Sequence, residues 1–170
     1  MVADLLMNQS RLTNVDDDYQ TCERTCAVLR VYPGAILPSE VTKALGIQPT
    51  SSVVAGQRGK ENSLGLARVG RINAWLLSSE PAVHSRDLRR HLDWLLDLLE
   101  TGSDGLRSLQ AQPGVRMSVN CVWWSRYGDG GPTLWPEQMA RLALLNLECS
   151  FEFSNYSDGE EGPLPSVETA

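Results

Sequence analysis

Four cysteines, two histidines and one basic loop are the residues whose chemistry is worth testing first. Cys22 and Cys26 are spaced as a C-x3-C pair, which could open a metal site that Cys121 and Cys149 would complete. Structural zinc sites draw their ligands as tight pairs on turns, and only one such pair exists here. Cys121 and Cys149 fall instead in alternating segments whose other members are Val, Met, Leu and Phe. Buried, reduced thiols are therefore expected, with no metal and no other cofactor.

His84 and His91 are the only histidines. No Ser or Cys elbow and no HExxH pattern accompanies them, so a nucleophile–base triad has no evident base. They read as surface or helix-end residues. The segment Gly56-Gln57-Arg58-Gly59-Lys60-Glu61 has two residues between its glycines and Glu after its Lys. A phosphate loop needs four between the glycines and a Ser or Thr after the Lys. Glu148 and Glu152 share a strand face with Arg30 and Arg116, and ordinary cross-strand charge pairing accounts for them. On this reading the protein is not expected to be an enzyme.

Two clusters remain as candidate binding sites. Arg58, Lys60, Arg68 and Arg71 against Glu61 alone give residues 48–72 a charge of +3, so the rest of the chain carries −9. A loop that long is often functional, and these four cations are the candidate anion-binding set. The second cluster is aromatic: Tyr32, Trp124, Arg126, Tyr127 and Trp135. If the strands ending near Tyr32 and Trp124 run parallel, their turns converge on one sheet edge, and exposed Trp, Tyr and Arg favour protein partners.

The elements that would position these residues follow from periodicity. Residues 25–31 alternate as a strand, with Ala27, Leu29 and Val31 on one face. A helix is expected over 38–45, opened by Pro38 and closed by Gly46. Further strands are expected at 73–79, 115–124 and 147–153. In the last, Leu147, Cys149, Phe151 and Phe153 share the core side. The strongest helix, 85–100, carries Leu88, Leu92, Leu95, Leu96 and Leu99 as one stripe. Shorter helices are expected over 103–110 and 136–145. The sum is an α+β domain: a four-stranded, mainly antiparallel sheet with helices on one face, in a ferredoxin-like βαβ-α-βαβ arrangement. It would occupy residues 21–154, between a flexible segment 1–20 and a disordered acidic tail 155–170.

Composition bounds the class. The chain has 170 residues, 42% hydrophobic content and a formal net charge of −6. Neutralising phosphates is what drives polyanion binding, so nucleic acid and anionic membrane are not expected partners. A leader and a membrane span are not expected either, and the chain reads as cytoplasmic, a compartment that keeps thiols reduced.

Several segments taken together carry a resemblance. They are Val41-Thr42-Lys43-Ala44-Leu45-Gly46-Ile47-Gln48-Pro49-Thr50, Gly59, Trp75-Leu76-Leu77, and Leu88-Arg89-Arg90-His91-Leu92-Asp93-Trp94-Leu95-Leu96. Asn120-Cys121-Val122 and residues 134–153 complete the set. Across most of 24–154 the sequence resembles the mainly bacterial domain of unknown function family 4279. The resemblance implies a small bacterial cytosolic domain and brings no catalytic residues with it. The expected role is a non-catalytic protein-binding module, of the immunity or antitoxin-like kind. The alternative is a small-molecule or anion sensor, or an atypical enzyme, built on the basic loop.

Overall fold

The computed structural model describes residue 11 and residues 13–59 and 67–155. Five strands form one sheet: β1 (Cys22–Tyr32), β2 (Ser51–Val53), β3 (Ala74–Ser78), β4 (Arg116–Ser125) and β5 (Glu148–Asn155). Four helices accompany them: α1 (Pro38–Leu45), α2 (Leu88–Thr101), α3 (Ser103–Gln110) and α4 (Pro136–Leu144). The strand order is β2-β3-β1-β4-β5. The β2–β3, β3–β1 and β1–β4 pairings are antiparallel, and β4–β5 is parallel.

The α+β class stands, but the sheet is five-stranded and mixed in place of the four-stranded one expected. The difference lies in residues 48–72. There the short strand β2 pairs with the outer side of β3, which makes β2 parallel to β1 with β3 between them. The chain therefore runs through a split β-α-β-β-α-β order, with α3 inserted and α4–β5 appended as a second, adjacent β-α-β unit.

Local chemistry explains the helix ends. Pro38 opens α1, and Gly46 closes it at φ 68°, its N–H donating to Thr42 O at 2.9 Å. Asp87 caps α2 by accepting from the Arg89 backbone N–H at 3.1 Å. Gly105 lets α3 lie against α1, since a Cβ there would stand 1.9 Å from Ala44 O.

All four helices cover one face. Ala27, Leu29, Val31, Trp75, Leu77, Val119 and Cys121 meet the leucines of α2, Val41 of α1, Leu106 of α3 and Leu142 of α4 in one core. The opposite face carries a smaller cluster, Cys26, Val28 and Val122, flanked by Leu76 and Trp124.

Of the expected flexible lead-in, residues 1–10 lie outside the described residues. Residues 13–19 lie along the domain. Asp16 N–H donates to Asp87 Oδ2 at 2.8 Å, Arg86 N–H to Asp17 O at 2.9 Å, and Tyr19 meets Trp123 edge-on at 5.3 Å. The acidic tail lies outside the described residues from position 156 onward. No described helix is long and apolar enough to cross a membrane.

Candidate functional site

The expected aromatic edge does not form. β1 and β4 are antiparallel, so Tyr32 faces Arg116 at one end of the sheet while Trp124 faces Arg24 at the other. Trp124 lies half-buried on the helix-free face, with the Arg24 guanidinium 4.6 Å from its ring and Arg24 ion-paired to Glu80. Arg126 is held by Glu23 at 2.6 Å, and Tyr127 is exposed in the turn beyond. Trp135 belongs to the helix side. It is buried, its Nε1–H donates to Thr13 O at 3.0 Å, and the Arg11 and Arg89 guanidinium groups lie 4.4 Å and 4.9 Å from its ring. Of the five, only Trp124, Arg126 and Tyr127 stay near one another along the chain.

The basic loop is more ordered than its composition suggests. Arg58 bridges to Val69, Gly59 N–H donates to Arg68 O at 2.9 Å, Gly56 N–H to Gly70 O at 2.8 Å and Gly70 N–H to Gln57 O at 2.9 Å across the same ribbon. Arg58, Arg68 and Arg71 are exposed on this ribbon, and Lys60 lies outside the described residues.

His91 lies in the first turn of α2, the helix-end place expected, but not at the surface. It is buried beside Ser79, with Ser79 Oγ 2.8 Å from Nδ1 and Ser85 O 2.9 Å from Nε2. A carbonyl only accepts, so Nε2 carries the proton and Nδ1 accepts the Ser79 hydroxyl. Ser79 Oγ in turn accepts from Ala27 N–H at 2.9 Å. Every polar atom of this serine–histidine pair is used, and Ser79 is sealed from solvent. The pair clamps β1 and β3 to α2. Burial holds His91 below the usual imidazole pKa.

The surface that sequence reading did not isolate is the β5 edge. β5 ends the sheet, and among the described residues nothing pairs with its outer side. Phe151 and Phe153, expected in the core, are 44% and 60% exposed, with ring centroids 6.4 Å apart. Helix length is the reason. Nine residues of α4 reach about 13 Å, whereas the eight of β5 extend about 26 Å. The helix covers Leu147 and stops short of the phenylalanines. Beside them opens an apolar cleft of about 510 Å³ lined by Leu134, Met139, Leu142, Leu147, Cys149 and Phe151. The signal for this site was present in the short span from Pro136 to Asn146, which cannot roof a strand running to residue 155.

The cysteines are all free thiols: Cys22, Cys26 and Cys121 are buried and Cys149 half-buried. Among the described residues no group of three or more His, Cys, Asp or Glu side chains is placed to hold a metal ion.

The model of the domain of unknown function family (DUF4279) matches residues 21–156. The chain belongs to this family. The match begins one residue before β1 and ends one residue after β5, so the DUF4279 domain includes the appended α4–β5 unit. No curated protein and no solved structure matches the chain.

Proposed function

We propose that this DUF4279 domain is a non-catalytic protein-binding module that docks its partner along β5. The exposure of Phe151 and Phe153 on an edge strand whose outer side has no partner among the described residues carries the reading. A free strand edge offers main-chain hydrogen bonds to an added extended segment. The cleft beside it offers an apolar seat for that segment's side chains. The overall charge of −6 suits a basic partner. An immunity or antitoxin-like protein, which covers a basic partner, is the role within this class that best fits a small acidic module. The sensor reading draws less support, because Arg58, Arg68 and Arg71 are spread on an exposed ribbon.

The test is affinity capture from the native cell with the tagged chain and with a Phe151→Ser/Phe153→Ser variant. A stoichiometric partner recovered by the first and lost with the second is expected. Equal recovery by both would place the interface elsewhere, and no stoichiometric partner with either would count against a binding module.

A further inference from the structure

β4 and β5 bring two thiols together on the core face. Cys121 Sγ lies 3.7 Å from Cys149 Sγ, a thiol–thiol contact between adjacent strands. The residues sit diagonally in the parallel ladder, Val119 facing Cys149 and Cys121 facing Phe151. Cys121 is sealed in the core, whereas Cys149 is half-buried and opens onto the apolar cleft. The two sulfurs thus differ in access while sharing a contact, and that asymmetry is what a two-step oxidation requires.

We propose that Cys121 and Cys149 form a redox-active dithiol, oxidised to a disulfide by a hydroperoxide or a low-molecular-weight disulfide entering through the cleft. Cys149 reacts first. With hydrogen peroxide its sulfur attacks one oxygen and the O–O bond breaks; a sulfenic acid forms, and the other oxygen leaves as water with the thiol proton. Cys121 sulfur then attacks Cys149 sulfur, expelling the hydroxyl as a second water with the Cys121 proton. Two thiols lose two protons and two electrons, and the peroxide is reduced to two waters. With a small disulfide, Cys149 forms a mixed disulfide and Cys121 displaces the second small thiol. Closing to the ordinary S–S length of about 2.0 Å requires the sulfurs to approach by about 1.7 Å. An edge strand whose outer side has no partner among the described residues has room for that shift.

The local chemistry assigns the same order. Contact with Cys149 and burial push Cys121 well above the usual thiol pKa, and the same contact draws Cys149 below it, so that the Cys149 thiolate would be the form Cys121 S–H donates to. The thiolate is the nucleophile, so Cys149 attacks first. Burial pushes Cys22 up to about 12 and Cys26 up to about 11, so neither competes.

This inference concerns the chain alone and does not rest on the docking reading. Reduced full-length protein is treated with hydrogen peroxide or glutathione disulfide, quenched in acid, unfolded, alkylated with N-ethylmaleimide and weighed. Wild type should lose two of its four alkylation sites, with peptide mapping linking Cys121 to Cys149 and phosphine reduction restoring all four. Cys121→Ser should stop at a single glutathione or dimedone adduct on Cys149. Cys149→Ser should keep Cys121 fully alkylated, with a circular dichroism melt to verify its fold. Four maleimides on treated wild type, a Cys22–Cys26 link, or a Cys149 adduct beside a free Cys121 would each overturn the proposal. The wild-type mapping decides the matter even where a variant fails to fold.

Discussion

The Arg89 guanidinium grips the Asp87 carboxylate through Nε to Oδ1 at 2.8 Å and Nη2 to Oδ2 at 2.5 Å, with both side chains almost excluded from water. Its remaining donors reach Thr13 O, Thr13 Oγ1 and Asn14 O, so residues 13–14 complete its shell. All five guanidinium hydrogens are used. Arg89→Leu would leave Asp87 charged, buried and unpaired, and should cost about 3–5 kcal/mol in urea unfolding. Arg89→Leu together with Asp87→Ser, which keeps a helix cap, should recover a measurable part of that loss.

Asp87 and His91 make stability fall with acid in two separate windows. For His91 the folded pKa is lowered by burial, so the unfolded chain takes up the proton first. Its contribution is complete above the unfolded value of about 6.5 and is lost as pH falls from there toward the folded value. For Asp87, burial alone would raise the pKa, but hydrogen bonds from Arg89 and from the Asp16 and Arg89 backbone hold it below the usual carboxylate value. Its contribution persists until pH falls through the carboxylate range. Melting temperature followed from pH 8 to pH 3 should decline first near 6, and His91→Gln should flatten that first decline while leaving the second.

Gly105 is a packing requirement. Because a Cβ there would meet the Ala44 carbonyl at 1.9 Å, the neighbour is backbone and has no rotamer to yield. Gly105→Ala should cost about 1–3 kcal/mol or more through overpacking, even though alanine is the better helix former. Chemical denaturation measures it directly, and a stabilised Gly105→Ala protein would contradict the close approach of α1 and α3.

Phe153 and Leu142 carry opposite weights, the first exposed on β5 and the second buried in the core. Phe153→Ser removes an exposed ring and should change stability by no more than about 0.5 kcal/mol. Leu142→Ala, in the core, should cost about 2–5 kcal/mol. Unfolding midpoints of the two variants separate surface from core along β5.

Much of the architecture was legible because alternation and helical stripes report faces. Leu29 and Val119 face the helices, Val28 and Val122 face away, and the α2 leucines all lie in one core. Periodicity is silent on strand direction, and that is why Tyr32 was grouped with Trp124. A parallel and an antiparallel β1–β4 pair have the same inward residues but opposite ends. β2 escaped because three residues, Ser51–Val53, of which only Val53 is even partly buried, carry no alternation to read. The burial of Arg89, Asp87 and Gln138 escaped for another reason. Arg89 and Asp87 pair with each other, and the rest of their shells comes from dozens of residues away, Thr13 for Arg89, Asp16 for Asp87 and the Arg89 carbonyl for Gln138, a match composition cannot announce. The β5 site was not legible: alternation placed Phe151 and Phe153 on the core side, and only the length of α4 says that they are uncovered.

The placement of β1 at the centre of the sheet also governs how the chain reaches its native state. Its longest ladder is with β4, so that Thr25 Oγ1 finds the Val122 carbonyl 97 residues further along. Such non-local pairing raises contact order and places folding toward the slow end, on the order of milliseconds to seconds. A ribosome delivers Cys22–Tyr32 long before Arg116–Ser125 exists to meet it. The nascent chain therefore carries an apolar strand with one side unsatisfied until most of the domain has been made. Synthesis rate and chaperone supply, more than final stability, should set how much of this protein a cell obtains.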